Sequence, residues 1–484
     1  MRSVALAVAL VATFAGPSAA VGSDGLVRLA AARELPVLER ASAAGLGSPA
    51  YVQLQYDAAR RLEGAVPALG YVSSACRPLA RALLGYAAGV VSAAEGIDRL
   101  EPGRTTAGRR RASSALAQVE RLRRTCPAGR RPQRRPLQPD VIAVPRAGEA
   151  FFGEVFEENH GDESRLYANG RLIETQQTGA SDVRFRLRLS PGRYRLELRF
   201  FRGGRLVWRS VAPDAYLLPA AARVARPAVA TNARLQRALR TIGRAFAGYA
   251  AVYVHDLRTG RAAGWNADAR FPAASTVKLA VLVETLRRWV PYRNDLRLDA
   301  ELRALTGWSS NLAANRLITL LGDGSGAAGA QRVQRTLSRL GATRSTYPQG
   351  YRVGTGVDAQ PPLVSGRVTT ARDLGTILRF VAAAAAGERA ATRRTGLGPS
   401  AARYALGLLL QAERRGNNVG LLAGALPAGI PIAQKNGWIS DARHTAAIVF
   451  GPQGATVVVA LTFRERLTFR AAVAFGRRVV RVVL

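Results

Sequence analysis

The spacing of apolar residues changes twice along this chain of 484 residues, and this change is the feature that most constrains its fold. Residues 24–128 repeat apolar side chains at helical spacing, whereas residues 140–219 alternate apolar and polar side chains as β-strands do. Residues 231–484 combine both patterns. Because a chain of this length exceeds what one hydrophobic core usually organises, we predict a helical domain (21–128), a small β domain and a C-terminal α/β domain.

The first 20 residues contain the three parts of a secretory signal peptide. Arg2 precedes a largely apolar run over residues 4–15, and Ser-Ala-Ala at 18–20 supplies the small residues for cleavage before Val21. The apolar run is shorter than the roughly 18 residues that a membrane span requires. We therefore expect an exported chain, secreted or associated with the cell wall, without a transmembrane segment. A buried N-terminal helix is the alternative interpretation.

Two cysteines fit an oxidising compartment. Helices are predicted over residues 73–99 and 105–125, with a Pro-Gly turn at 102–103 between them. In an antiparallel helical hairpin the start of the first helix lies beside the end of the second, which are the positions of Cys76 and Cys126. A disulfide between them is predicted, with two unpaired buried thiols as the alternative.

The basic residues are distributed unevenly. The sequence has 70 basic against 33 acidic residues and a net charge of +37, yet only two of the basic residues, Lys278 and Lys435, are lysines. Such a skew fits a coding bias toward arginine, so the charge does not point to specific nucleic-acid binding. The two lysines are consequently the positions of greatest interest.

Two linkers separate the predicted domains. Residues 129–139 (GRRPQRRPLQP) are rich in proline and arginine, which keeps the chain extended, and residues 220–230 (AAARVARPAVA) form the second linker. Residues 103–135 carry eleven arginines and one acid, Glu120. This segment is a candidate for binding an anionic cell-wall polymer or lipid, and a solvated helix face followed by a linker is the alternative.

The β region shows two hairpin signals. Alternating apolar and charged residues over 183–189 and 193–200, on either side of Ser-Pro-Gly at 190–192, predict one hairpin. Asn169-Gly170 predicts a type I′ turn in another. Several short strands within about 80 residues are typical of an immunoglobulin-like β-sandwich over residues 140–219.

Two candidate catalytic residues lie in residues 271–290 (FPAASTVKLAVLVETLRRWV). Ser275 precedes Lys278 by three residues at the start of a predicted apolar helix. This spacing places the two side chains one turn apart on one face. Burial favours the neutral amine, which allows Lys278 to accept the hydroxyl proton of Ser275. Arginine stays protonated and cannot do this, which explains a lysine in an arginine-rich chain.

Two further elements follow in order, Trp-Ser-Ser-Asn at 308–311 and Lys-Asn-Gly-Trp at 435–438. With the S-x-x-K element, the AANRL helix and the TTARDL segment at 369–374, residues 231–484 resemble the penicillin-recognising serine hydrolase superfamily and the class A β-lactamases in particular. The resemblance implies an antiparallel sheet flanked by helices plus a helical lobe.

The resemblance also implies roles for four catalytic residues. Ser275 would be the acylated nucleophile and Lys278 its general base. Ser309 would pass a proton to the leaving nitrogen. Asn311 would hydrogen-bond to Lys278 and to the substrate amide.

The third motif would bind the substrate. Lys435 would attract the substrate carboxylate, with Asn436 and Gly437 beside it. The backbone N–H groups of Ser275 and Trp438 would form the oxyanion hole. No cofactor is implied, and no metal is expected because the three histidines are scattered and no C-x-x-C spacing exists.

The sequence also departs from the family pattern. Ser310 stands where the family usually has aspartate, and Asn436 where it usually has threonine or serine. No glutamate occurs between Asn311 and Thr369, and Asp358 is the only acid in the loop before Thr369, which makes it the candidate there for the base that activates water in deacylation. We therefore expect slow release of the acyl-enzyme.

Three functions follow from these features. The first is a secreted serine acyl-hydrolase that opens β-lactam or related amide bonds. The second is a penicillin-binding or D,D-peptidase-like enzyme that acts on peptides derived from peptidoglycan. The third is a weakly catalytic cell-wall-binding protein whose N-terminal domains carry the function.

Overall fold

The computed structural model describes residues 23–43, 49–66, 72–126, 141–142, 150–154, 162–177, 182–185, 189–190, 192–217, 224–289, 296–353, 366–412 and 418–484. The predicted signal peptide, the linker at 129–139 and Asp358 lie outside these residues. The chain divides into two compact units, Met1–Arg135 and Pro136–Leu484. No helix among the described residues has the length and apolar character needed to cross a membrane.

The described part of the first unit consists of the four helices α1 (Ser23–Ala43), α2 (Pro49–Ala65), α3 (Arg77–Asp98) and α4 (Pro102–Leu122).

Helices α3 and α4 pack closely because glycines face backbone at their contact. A Cβ on Gly89 would lie 2.5 Å from the Ala112 nitrogen, and one on Gly108 would lie 2.4 Å from the Ala93 nitrogen. At the open end of this hairpin, Cys76 and Cys126 form a disulfide with their Cα atoms 4.4 Å apart.

The turn predicted at residues 102–103 is wrong in position. Pro102 is the first residue of α4, and the chain turns before it, at Leu100, which has a φ of 58°. Proline suits the first helical position because its φ is already helical and it has no N–H to leave unpaired.

The second unit begins with seven strands: β1 (Val141–Ile142), β2 (Ala150–Glu154), β3 (Glu163–Ala168), β4 (Arg171–Gln177), β5 (Asp182–Phe185), β6 (Gly192–Arg202) and β7 (Arg205–Leu217).

These strands form two antiparallel sheets, in the orders β1-β2-β5 and β4-β3-β6-β7. The predicted turn at Asn169-Gly170 is confirmed, since both residues have positive φ (51° and 83°) between β3 and β4. Packing of the two sheets into an immunoglobulin-like sandwich stays a prediction.

The hairpin predicted around residues 190–192 is wrong. Strand β5 pairs with β2, and β6 pairs with β3 and β7, so the two strands belong to different sheets. Alternation of apolar and polar residues fixes which face of a strand is buried, but it does not choose the neighbouring strand.

The rest of the second unit contains nine further helices in its described part: α5 (Ala233–Arg244), α6 (Lys278–Arg288), α7 (Leu296–Gly307), α8 (Asn311–Leu321), α9 (Gly326–Arg339), α10 (Ala371–Ala385), α11 (Arg389–Thr395), α12 (Pro399–Leu410) and α13 (Phe469–Val483). The accompanying strands are β8 (Ala230–Thr231), β9 (Tyr249–Asp256), β10 (Arg261–Trp265), β11 (Phe271–Pro272), β12 (Val368–Thr369), β13 (Ile432–Ile439), β14 (Ala442–Gly451) and β15 (Gly454–Phe463).

A six-stranded sheet organises this region in the order β13-β14-β15-β9-β10-β8, antiparallel except for the short β8–β10 pair. Successive side chains of β9 enter different cores: Ala251 and Tyr253 pack with α6 and α10, whereas Val252 and Val254 pack with α5 and α13. Helices thus cover both faces of the sheet, and α7, α8 and α9 add a helical lobe. The predicted α/β architecture is confirmed.

Candidate active site

Ser275 lies in a tight turn that leads into α6. The Lys278 N–H donates to the Ser275 carbonyl at 3.2 Å, a three-residue spacing that is tighter than an α-helical turn. Ala274, immediately before the serine, has a φ of 46°, a conformation that non-glycine residues rarely adopt. This backbone places Ser275 at the N-terminal end of α6, where the helix dipole favours developing negative charge.

Lys278 is fully buried at the start of α6. Its Nζ donates to the Ser309 carbonyl at 2.5 Å and to Asn311 Oδ1 at 2.7 Å. The Asn311 amide can only accept on this side, because its Nδ2 donates to the Arg352 carbonyl at 3.0 Å. When the amine is neutral, its two hydrogens satisfy these two acceptors and its lone pair can take a proton.

Ser309 lies between the two lysines. Its backbone, with a φ of 68°, turns the carbonyl toward Lys278, and its hydroxyl accepts from Lys435 Nζ at 2.6 Å. Because Oγ accepts from Lys435, its own proton remains available for donation.

Lys435 is 1% exposed, and its Nζ also donates to the Asn436 carbonyl at 2.9 Å. Burial lowers the pKa of Lys435 well below its usual value, and a proton on Lys278 would lower it further. Within the described residues, no carboxylate lies at ion-pair distance from it.

Strand β13, which carries the third motif, is at the edge of the sheet. The Phe450 N–H donates to the Pro431 carbonyl, which fixes the alternation of the ladder with β14. Lys435 and Gly437 then bond to β14, whereas Asn436 and Trp438 direct their N–H and C=O groups toward the open edge. The Trp438 N–H is thus free of the sheet.

Gly437 brings this edge against the serine. A Cβ at position 437 would lie 2.9 Å from the Ser275 nitrogen and 3.0 Å from the Thr276 nitrogen. Only glycine permits that approach without displacing the strand or the turn. The edge of β13 and the backbone N–H of Ser275 consequently border one site.

His444 supports the site from behind. It is 1% exposed on β14, its Nε2 lies 2.7 Å from the Pro272 carbonyl, and its Nδ1 accepts from the Thr462 N–H at 3.3 Å. The second contact requires an unprotonated Nδ1, so Nε2 is the donor to Pro272. Burial lowers the pKa of His444 to about 4. The neutral ring ties the sheet to the segment before Ser275.

The C-terminal half of the chain matches a known protein family. Residues 234–304 and 289–484 match the family model Beta-lactamase2, described as the beta-lactamase enzyme family. The chain belongs to this family. No functionally curated protein matches the chain.

Several solved structures are similar to this member of the family. A structure titled PBP-A is 21% identical over 54% of this chain and 97% of its own, with a TM-score of 0.41. The class A beta-lactamase from Mycobacterium abscessus is 21% identical over 51% and 98%, with a TM-score of 0.40. A beta-lactamase from Sphaerobacter thermophilus DSM 20745 is 17% identical over 51% and 94%, with a TM-score of 0.40.

The two departures from the family motifs have local structural roles. Ser310 is the N-cap of α8, where its side chain accepts from the Ala313 N–H. Asn436 is buried, donates to the Asn418 carbonyl at 2.8 Å and accepts from the Thr445 hydroxyl at 2.8 Å. At position 310 the usual aspartate could cap α8 in the same way as serine. At position 436 the asparagine amide both donates and accepts a hydrogen bond.

Tyr351 lies in the site but belongs to none of the three sequence motifs. Its ring centroid lies 4.2 Å from Lys278 Nζ, and its hydroxyl lies 3.4 Å from the Ala274 carbonyl, next to the nucleophile. The surrounding sequence (TYPQGYRVG, 346–354) has no periodicity and no acid, so a search for catalytic carboxylates passes over it.

The structure therefore brings Ser275, Lys278, Ser309, Asn311, Lys435 and the β13 edge to one place. The candidate deacylation base Asp358 lies outside the described residues. Among the described residues, no cluster of three or more histidine, cysteine or acidic side chains could hold a metal ion.

Proposed function

We propose that this protein is an exported serine acyl-hydrolase that opens β-lactam or related amide bonds through an acyl-enzyme on Ser275. The observation that carries this proposal is the position of Ser309 between the protein's only two lysines, its carbonyl on Lys278 and its hydroxyl on Lys435. Two lysines among 70 basic residues, both buried at one serine, are difficult to explain by packing alone.

Acylation follows from this geometry. Ser275 Oγ forms a bond to the amide carbon while its proton passes to the neutral amine of Lys278. The amide C–N bond then breaks, and its electron pair stays on nitrogen. That nitrogen takes the Ser309 proton, which the neighbouring Lys435 ammonium can replace.

The charge that develops on the carbonyl oxygen also needs a partner. The N–H groups of Ser275 and Trp438 are the proposed donors, because Gly437 allows the two backbones to approach and the β13 register turns Trp438 outward. Lys435 would hold a carboxylate on the substrate. This fits β-lactams and peptides derived from peptidoglycan alike.

We further propose that acylation is faster than deacylation. The second step needs a base to activate water, and the loop before Thr369 offers only Asp358. Absence of a positioned base typically lowers a rate by about 10²- to 10⁴-fold. Slow release would make the protein a penicillin-binding or D,D-peptidase-like enzyme.

The N-terminal features extend the proposal to location. The signal-peptide pattern and the Cys76–Cys126 pair support export to the cell wall or beyond. Exposed arginines on α4, including Arg110 and Arg111, could bind an anionic wall polymer. If turnover proved negligible, this binding would leave a weakly catalytic wall-binding protein as the function.

Intact-mass spectrometry during incubation with a penicillin tests the proposal. We expect an adduct on Ser275 that forms rapidly and decays slowly, with a burst of one product per enzyme before slow turnover. The Ser275→Ala variant is the control and should form neither adduct nor product. Absence of both adduct and product in the wild-type protein would refute acyl transfer, and rapid burst-free turnover that survives Asp358→Asn would refute the account of deacylation.

A further inference from the structure

Contacts to both its backbone and its ring hold Tyr351 in the site. Asn315, one turn after Asn311 on α8, accepts from the Tyr351 N–H at 2.7 Å and donates to its carbonyl at 2.8 Å. Two asparagines on one face of α8 thus clamp residues 351–352, since Asn311 bonds to the Arg352 carbonyl.

The other side of the segment is fixed by Arg367. Its guanidinium carbon lies 3.8 Å from the Tyr351 ring centroid, and its NH2 group donates to the carbonyls of Gln349 and Gly350 at 2.9 and 2.8 Å. The ring is 7% exposed and also meets Tyr347 edge-on at 6.0 Å between centroids.

We propose that Tyr351 is a positioning residue for acylation, whose ring holds the Lys278 amine toward Ser275 and stabilises the ammonium that forms as the serine proton is transferred. The proposal rests on the proposed function, because it assigns a role within that acylation step. The face of an aromatic ring carries partial negative charge and attracts a cation placed within about 6 Å. The ring is one of three electron-rich groups near Nζ, with the Ser309 carbonyl and Asn311 Oδ1.

The charged groups near Lys278 in the described part of the chain define the expected direction. Lys435 on β13 and Arg367 beyond the ring are both cationic, and burial also opposes a charge on Lys278. The electron-rich face of the tyrosine ring instead favours a positive charge on Lys278. Removing this face while keeping the site dry should make Lys278 a weaker base that loses its proton at lower pH.

The test is the pH dependence of the acylation rate, measured by time-resolved intact mass with a penicillin. In Tyr351→Leu the side chain stays apolar but loses the ring face, so we expect the acid limb to move down by about 0.5 to 1 pH unit and the plateau rate to fall. Tyr351→Phe keeps the ring and loses only the hydroxyl, and its acid limb should match that of the wild type.

A second series removes any dependence on how well the leucine variant folds. Phenylalanines with increasing numbers of fluorine atoms, incorporated at position 351, keep the ring shape while weakening its negative face. The acid limb should move to lower pH stepwise with each fluorine.

The outcomes separate the two proposals. A wild-type protein that never acylates would refute the proposed function, whatever the variants do. A wild-type protein that acylates, with unshifted acid limbs in both the leucine variant and the fluorinated series, would overturn the role of Tyr351 and leave the proposed function standing. A limb that moves upward would also overturn it, since that result would mean that water, rather than the ring, governs Lys278.

Discussion

At the scale of single residues, the site depends on what a lysine can do that an arginine cannot. Lys278 and Lys435 are 0% and 1% exposed, and the Ser309 backbone and hydroxyl lie between them. Burial makes the neutral amine accessible to a lysine near neutral pH, whereas a guanidinium remains charged. Replacing each lysine by arginine therefore tests whether its function needs a neutral amine or only a positive charge.

Replacing Lys278 by arginine should abolish acylation and leave the fold largely intact. The guanidinium fills the space but cannot accept the Ser275 proton, so we expect a fall of at least about 10²-fold in acylation rate. Lys435→Arg is the matched control: it keeps Lys278 as the base and a cation for the substrate carboxylate, so it should still acylate, with weaker substrate binding and slower replacement of the Ser309 proton. Acylation of Lys278→Arg at a rate near wild type would exclude Lys278 as the base.

The lowered pKa of Lys435 predicts how substrate binding depends on pH. Only the ammonium attracts a carboxylate, so affinity should be highest below this lowered pKa and should decline as the pH rises through it. The measurement is KM against pH for a carboxylate-bearing substrate and for its methyl ester. The ester should show no such decline, and parallel curves for the two substrates would argue against Lys435 as the anion-binding group.

At the scale of elements, one edge strand and one tight turn form the site. Strand β13 has its free edge at Asn436 and Trp438, and α6 begins directly after the turn at Ser275. The two elements can approach because position 437 has no Cβ. Their separation, rather than any single side chain, should control stabilisation of the oxyanion.

Gly437→Ala tests this separation. The added methyl would lie about 3 Å from two backbone nitrogens, so β13 or the turn must move and the proposed oxyanion donors would separate. Loss of one such donor typically costs about 10²-fold in rate. Gly424→Ala serves as the control, because nothing lies within 4 Å of its added Cβ. Equal acylation rates in the two variants would contradict the assignment of Trp438.

At the scale of the whole molecule, buried histidines link stability to pH. Burial lowers the pKa of His255 and of His444 to about 4, whereas an unfolded histidine titrates near 6.5. Between these values the unfolded chain binds more protons than the folded one. The histidine contribution to stability is therefore fully present above about pH 6.5 and is lost as the pH falls toward 4.

His255→Leu should isolate one of these contributions. Burial raises the pKa values of Asp373 and Glu95, but both groups are present in both proteins, so their contributions cancel in the comparison. Protonation of His255 on unfolding should cost the wild type roughly 3 kcal/mol in free energy of unfolding between pH 7 and pH 4. The variant lacks this loss, so its stability relative to the wild type should rise by that amount over the same range. Denaturant titrations at several pH values provide the measurement, and a pH-independent difference would show that folding does not shift the pKa of His255.

The disulfide should matter for the first unit alone. Cys76 and Cys126 close a loop of 50 residues, which is worth on the order of 4 kcal/mol in the chain-entropy model. Mass mapping of the exported protein without reductant should find the two joined, and the Cys76→Ser, Cys126→Ser double variant should unfold at lower denaturant concentration. Acylation of Ser275 should persist, because the nucleophile lies in the second unit. Two free thiols in the exported protein would refute the pairing.

The sequence by itself determined the features that depend on neighbouring residues. The placement of Ser275 and Lys278 on one helix face and the turn at Asn169-Gly170 could be predicted because short-range geometry gives each of them a recognisable pattern. The rarity of lysine also identified Lys278 and Lys435 before any contact was known, since it depends only on composition.

Only the tertiary structure decided which distant parts of the chain meet. It pairs β5 with β2 instead of β6, because a period of two residues fixes the buried face of a strand and leaves its partner open. It also places Tyr351 against Lys278, 73 positions away, through bonds from α8 that no local pattern encodes. Such contacts depend on how the whole core packs, so a segment without periodicity came to border the proposed catalytic base.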